Sequence, residues 1–241
     1  MSETGSAPDR ALGELIVARD AGALAALAAD RLARLTTERP GSARLQVALA
    51  GGHTPRRCYE LLAQDTRRPA ARWEAWLGDE RCVPPDDPAS NFAMLRETLV
   101  DSGALAAEHV HAVPTAYGAA RAAAAYALMF PERLDLLLLG MGEDGHTASL
   151  FPGAPALEET RERVVATTSP RAPKERITIT PPVIEAAAHV VVLVSGEDKA
   201  EALARVLEGP LDEHALPAQL ARRGLWIVDR AAASRFRILL P

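Results

Sequence analysis

Three stretches of this chain share one pattern: consecutive apolar residues, then glycine, then a polar turn. They are "LQVALAGGHTP" (Leu45–Pro55), "LDLLLLGMGEDGHT" (Leu134–Thr147) and "HVVVLVSGEDK" (His189–Lys199). A strand with one wet face alternates apolar and polar residues, whereas a continuous apolar run must be covered on both faces. Such runs alternating with helical segments predict an α/β fold: a mostly parallel, twisted sheet with helices on both faces and right-handed crossovers. In sheets of this kind ligands sit beyond the carboxyl ends of the strands, where the strand order switches. The glycine turns are therefore the place to look for chemistry.

The rest of the chain fits the alternation. A helix is expected over Asp20–Thr37, with Leu24, Leu27, Leu32 and Leu35 near helical spacing. A second runs from Pro55 to Gln64, with proline in its first turn. "WEAWLG" reads as a strand and "DERCVPPDDPASN" as a long polar loop. "FAMLRETLV" reads as a helix capped by Asn91, "HVHAV" as a short strand and "AYGAARAAAAYALMF" as a helix. "ERVVATT", "RITIT" and "LWIVD" read as further strands, "PPVIEAAA" and "EDKAEALARVLEG" as helices. Residues 1–10 are polar and read as a flexible tail, leaving 11–241 as a single domain.

Of the 241 residues 48% are hydrophobic and 24% charged, enough for a sizeable core. The net charge is -5 and Lys and Arg form no long block, which argues against nucleic acid or an anionic membrane as partner. No apolar run approaches the ~20 residues of a membrane span, and the N-terminus lacks the form of a signal peptide, so a cytoplasmic protein is expected. The two cysteines, Cys58 and Cys82, have no metal-ligand spacing and read as thiols of a reducing compartment. A monomer and a weak homo-oligomer both remain open.

Four strand ends carry unusual residues. "AGGHTP" places Gly51, Gly52, His53 and Thr54 at a strand-to-helix junction. It reads equally as an anion cradle of backbone amides and as a tight turn. It is neither a Walker loop nor a dinucleotide fingerprint. Asp79, Glu80 and Arg81 leave another strand together. Lys199 follows a Ser-Gly turn just inside a helix. Arg171, Lys174 and Arg176 form a proline-stiffened basic segment, in which Arg176 is a candidate for bidentate anion binding. Of six histidines, His109 and His111 would share one face of a strand. No histidine–carboxylate cluster has convincing metal-ligand spacing. His146 differs: it follows Gly142-Glu143-Asp144-Gly145 at a strand end, where a titratable imidazole can serve as general base.

At these residues the chain resembles the 6-phosphogluconolactonases. "LDLLLLGMGEDGHTASLFPG", "WLGDERCVPPDDPASN", "SPRAPKERITIT" and "VSGEDKAEAL" carry the likeness, in order, over nearly the whole sequence. The resemblance implies the fold shared with aminosugar-phosphate isomerases and ribose-5-phosphate isomerase. It implies hydrolysis of 6-phospho-D-glucono-1,5-lactone in the pentose phosphate pathway, with no metal or organic cofactor. It maps the family's glycine loop to Gly51, Gly52, His53 and Thr54, its acid-arginine pair to Asp79 and Arg81, its histidine to His146, and its basic phosphate contacts to Arg176 and Lys199. Asp144 is a candidate to orient the imidazole or only to shape the turn. Ala50 and His53 stand where the family commonly has serine, and Arg171 where it often has lysine. Without a Gly-x-Ser-x-Gly elbow, a serine nucleophile is not expected. Two alternatives stand beside this reading: an aminosugar-6-phosphate deaminase or isomerase on the same fold, and a non-catalytic sugar-phosphate sensor.

Overall fold

The computed structural model describes residues 12–41 and 43–237; the tail expected over residues 1–10 lies outside them. Among the described residues, nine strands form two sheets. The larger holds β1 (Leu15–Ala18), β2 (Leu45–Leu49), β3 (Trp73–Leu77), β5 (Leu136–Gly140), β8 (His189–Val194) and β9 (Leu225–Asp229), in the order β1-β9-β8-β5-β2-β3. Every pairing in it is parallel. The smaller sheet is antiparallel, in the order β4-β7-β6, from β4 (Asp79–Arg81), β6 (Val164–Thr168) and β7 (Glu175–Ile179).

The parallel sheet follows from the apolar runs. Leu136 to Leu139 of β5 and Val190 to Val194 of β8 are buried at successive positions, so both faces of these strands are covered. Trp73 of β3 and Trp226 of β9 are fully buried, with Tyr59 and Tyr126 from the helical layer. The helices are α1 (Ala21–Thr37), α2 (His53–Ala63), α3 (Asn91–Leu95), α4 (Ala119–Met129), α5 (Pro181–Ala186) and α6 (Ala200–Glu208). Asp20 caps α1 by accepting from Ala23 N–H at 2.8 Å.

The structure corrects three sequence expectations and adds one strand. Asp79–Arg81 is a strand, because Gly78 bends the chain out of the parallel sheet. Its N–H still donates to Leu49 O, while its carbonyl accepts from Ile179 N–H of β7. "HVHAV" is not a strand. Ala107–His109 is a 3-10 turn, and only Val110 bridges to Ala75 on the edge strand β3. Its two histidines do share a face, since both meet the Glu74 carboxylate, at 2.9 and 2.7 Å. The cap of α3 is Ser90, whose Oγ accepts from Ala93 N–H, and Asn91 is the first helical residue. Lastly, the four-residue β1 goes unread in the sequence because it is too short to show a period.

The strand order fixes where a cleft opens. The chain passes from β2 to β3 on one side, and from β5 outward to β8 and β9 on the other. The crossovers diverge between β2 and β5, so their carboxyl ends leave a crevice uncovered by helices.

Candidate active site

A cleft of about 480 Å³ lies at that divergence, and all ten sequence-predicted site residues line it. Gly51, Gly52, His53 and Thr54 enter from the end of β2, and Asp144 and His146 from the end of β5. Asp79 and Arg81 enter on β4, Arg176 on β7, and Lys199 after β8.

The glycine loop follows from its backbone. Gly52, at φ 107°, is the N-cap of α2 and offers no side-chain cap. The first amides of a helix have no intrahelical acceptor, and Pro55 contributes none. His53 and Thr54 thus present free N–H groups and the positive end of α2 to the cleft. Ala50, in place of the family's serine, is buried, and its carbonyl accepts from Tyr59 Oη–H at 2.9 Å. His53 is exposed at the lip.

The turn after β5 is built around an imidazole. His146 Nδ1 lies 2.5 Å from Asp144 Oδ1, and the same oxygen accepts His146 N–H at 3.1 Å. An ionised carboxylate only accepts, so Nδ1 carries the proton and Nε2 is left as the basic nitrogen. Burial acts to raise the Asp144 pKa, but the hydrogen bond and charge of His146 prevail and hold it at about 2. The His146 ring also packs on Phe151, with centroids 4.7 Å apart. Gly142 is required by this packing: a Cβ there would lie 2.1 Å from His146 Nδ1 and Cε1.

Asp79 is held by neutral donors rather than by Arg81. Ser149 Oγ–H donates to its Oδ2 at 2.6 Å, and Asn91 Nδ2–H to its Oδ1 at 3.1 Å. Arg81 is fixed by Nη1–H donating to Ala89 O at 2.5 Å, and its Nε is buried without an acceptor. Between them, Glu80 is fully buried and accepts from Arg81 N–H, Asn91 N–H, Phe92 N–H and Ser90 Oγ–H. Burial raises its pKa against those four bonds.

The cations come from separate elements. Arg176 faces Arg81 across the β4–β7 ladder. It is 8% exposed, its Nε–H donates to Pro173 O at 2.8 Å, and burial followed by the Arg81 charge lowers its pKa. Two guanidinium groups this close favour an anion between them. Lys199 closes a 3-10 turn before α6, where its Nζ lies 3.0 Å from Asp198 and 3.4 Å from Glu143. Glu143 also meets Arg171, at 3.3 Å. Sequence reasoning named Glu80 and Glu143 only as neighbours of the candidate residues, and it did not single out Ser149 or assign Asn91 to the site. The Asn91 position was visible only as a cap, and nothing local marks Ser149.

Known proteins share this pattern. The family described as glucosamine-6-phosphate isomerases/6-phosphogluconolactonase matches residues 19–228. The 6-phosphogluconolactonase of Streptomyces coelicolor is 39% identical, over 95% of this chain and 97% of its own length. That of Nostoc is 38% identical, over 86% and 91%. The solved 6-phosphogluconolactonase of Trypanosoma brucei superposes with a TM-score of 0.81 at 28% identity, covering 92% of this chain and 98% of its own. The glycine loop, the Asp-Gly-His turn and the matched length together place this chain in the glucosamine-6-phosphate isomerase/6-phosphogluconolactonase family.

Proposed function

We propose that the protein hydrolyses 6-phospho-D-glucono-1,5-lactone to 6-phospho-D-gluconate, in the cytoplasm and in the oxidative pentose phosphate pathway. The observation that carries this reading is the Asp144–His146 clasp, which leaves one imidazole nitrogen free in a cleft lined by cations. The curated relatives above, named as lactonases over most of the chain, support it.

A lactone is a cyclic ester. Its hydrolysis needs an activated water, relief of charge on the carbonyl oxygen, and a proton for the departing ring oxygen. His146 Nε2 takes a proton from water and returns it to the ring oxygen, a service that contributes roughly 10²–10⁴-fold. Asp144 holds the ring and stabilises the imidazolium as it forms. Arg81 stabilises the developing oxyanion. Gly51 to Thr54, Arg176 and Lys199 bind the phosphate, the remote handle whose binding energy positions the carbonyl.

The test is fresh lactone assayed through 6-phosphogluconate dehydrogenase. Hydrolysis no faster than the spontaneous rate would sink the proposal. Ammonia release from glucosamine 6-phosphate would move the chain to the deaminase branch of its family.

A further inference from the structure

Asn91 opens α3 and is only 2% exposed, yet its side chain lines the cleft beside Gly51, Asp79 and Arg81. Its Nδ2 donates to both the carbonyl oxygen of Asp79, at 2.8 Å, and Asp79 Oδ1, at 3.1 Å. These two bonds use the amide hydrogens and fix the amide plane, so Oδ1 is turned away from Asp79. It is turned toward Gly51: a Cβ on Gly51 would stand 1.8 Å from Asn91 Oδ1. The first glycine of the loop is thus matched to the asparagine as well as to a ligand.

Asn91 Oδ1 accepts no hydrogen bond among the described residues. The only sealed side-chain nitrogen or oxygen atoms without partners there are Arg81 Nε and Arg222 Nε, so Oδ1 is open to the cleft. A carbonyl oxygen so deeply set is costly to leave dry. Water or a ligand donor must reach it. Next to it, Asp79 accepts from Asn91 and Ser149 and keeps unused lone pairs. The pair offers acceptors only. It repels a phosphate and suits a ligand bringing neighbouring O–H groups, such as a polyol ring.

We propose that Asn91 is a specificity-determining residue, whose Oδ1 acts with Asp79 to read ring hydroxyl groups of the sugar lactone and takes no part in binding its phosphate. This inference rests on the lactonase reading above. It assigns the two ends of the substrate: hydroxyls toward Asp79 and Asn91, phosphate toward the cations.

The experiment compares wild type and Asn91→Ala on the parent phosphorylated lactone and on its 2-, 3- and 4-deoxy analogues, with inorganic phosphate as competitive inhibitor. Wild type is expected to prefer the parent over at least one deoxy analogue by about ten-fold or more in kcat/KM, the expected scale for a site built to bond a hydroxyl. N91A loses that preference: the parent falls about ten-fold or more, the same analogue changes far less, and phosphate inhibition is unchanged. Equal losses on parent and analogues would overturn the proposal and leave Asn91 as a support for Asp79. Wild type that fails to discriminate any analogue would also overturn it, whether or not N91A folds. Asn91→Ser provides a second variant if N91A is unstable. Lack of any wild-type turnover, with phosphate still bound, would instead sink the lactonase reading and this inference with it.

Discussion

Asp144 Oδ1 accepts two hydrogen bonds from one residue, His146: the ring Nδ1–H at 2.5 Å and the backbone N–H at 3.1 Å. A single oxygen therefore sets both the path of the turn and the tautomer of the imidazole. Shaping the turn and holding the imidazole are thus one interaction. Asp144→Asn and His146→Ala should each lower kcat by about 10²-fold or more while the proteins stay folded. Turnover near wild type in either, after subtraction of spontaneous hydrolysis, would remove that residue from the mechanism.

The same clasp has a pH signature. The folded-state pKa of Asp144, about 2, lies below its ordinary 3.8. Between those values the unfolded chain binds more protons, so the stabilisation is present above about 3.8 and is lost as the pH falls through about 2. The stability difference between wild type and D144N, measured by urea unfolding at about pH 5 and below, should shrink toward the acid limit. A difference that grows on acidification would contradict the clasp.

Gly142 should tolerate no side chain. A methyl group there meets the His146 ring at 2.1 Å, and the ring must leave its place. We expect Gly142→Ala to lose activity to about the extent of H146A, with a melting temperature only modestly lowered. Full activity in G142A would mean that the ring has room to shift without consequence.

Arg176 and Lys199 approach the cleft from different elements, strand β7 and the 3-10 turn before α6, and neither contacts His146 in the hydrogen-bond network of the described residues. R176A and K199A should raise KM for the phosphorylated lactone and weaken inhibition by inorganic phosphate, with smaller effects on kcat. An unchanged KM in both would place the phosphate elsewhere.

The turn that carries Lys199 is pinned from the neighbouring strand. Asp229 Oδ2 accepts from Ser195 Oγ–H at 2.5 Å, and Asp229 Oδ1 from Gly196 N–H at 3.2 Å and Ala232 N–H at 2.8 Å. Ser195→Ala should therefore reproduce a weaker form of the K199A phenotype. Steady-state kinetics would check it, and a kcat effect without a KM effect would argue against it.

The apolar runs at Leu45–Leu49, Leu136–Gly140 and His189–Val194 are local signals, and they sufficed to predict parallel strands whose ends meet at one cleft. Nine of the ten candidate residues follow ends of the parallel strands, which converge at a switch in order; Arg176, on β7 of the smaller sheet, was named from its basic segment and the family resemblance. The partners were not legible. Ser149 meets Asp79 across 70 residues of sequence, and Arg81 faces Arg176 only because β4 leaves the parallel sheet to pair with β7. Of the two roles open to Asp79, holding Arg81 or a substrate hydroxyl, the first is not formed: Ser149 and Asn91 hold Asp79, and Ala89 holds Arg81. Periodicity reports which face of an element is buried and is blind to what lies opposite. Sequence alone thus determined the sheet, its cleft and the groups that enter it. Tertiary structure decided which group holds which, because a hydrogen bond of 2.5–3 Å depends on the packing of elements distant in the chain.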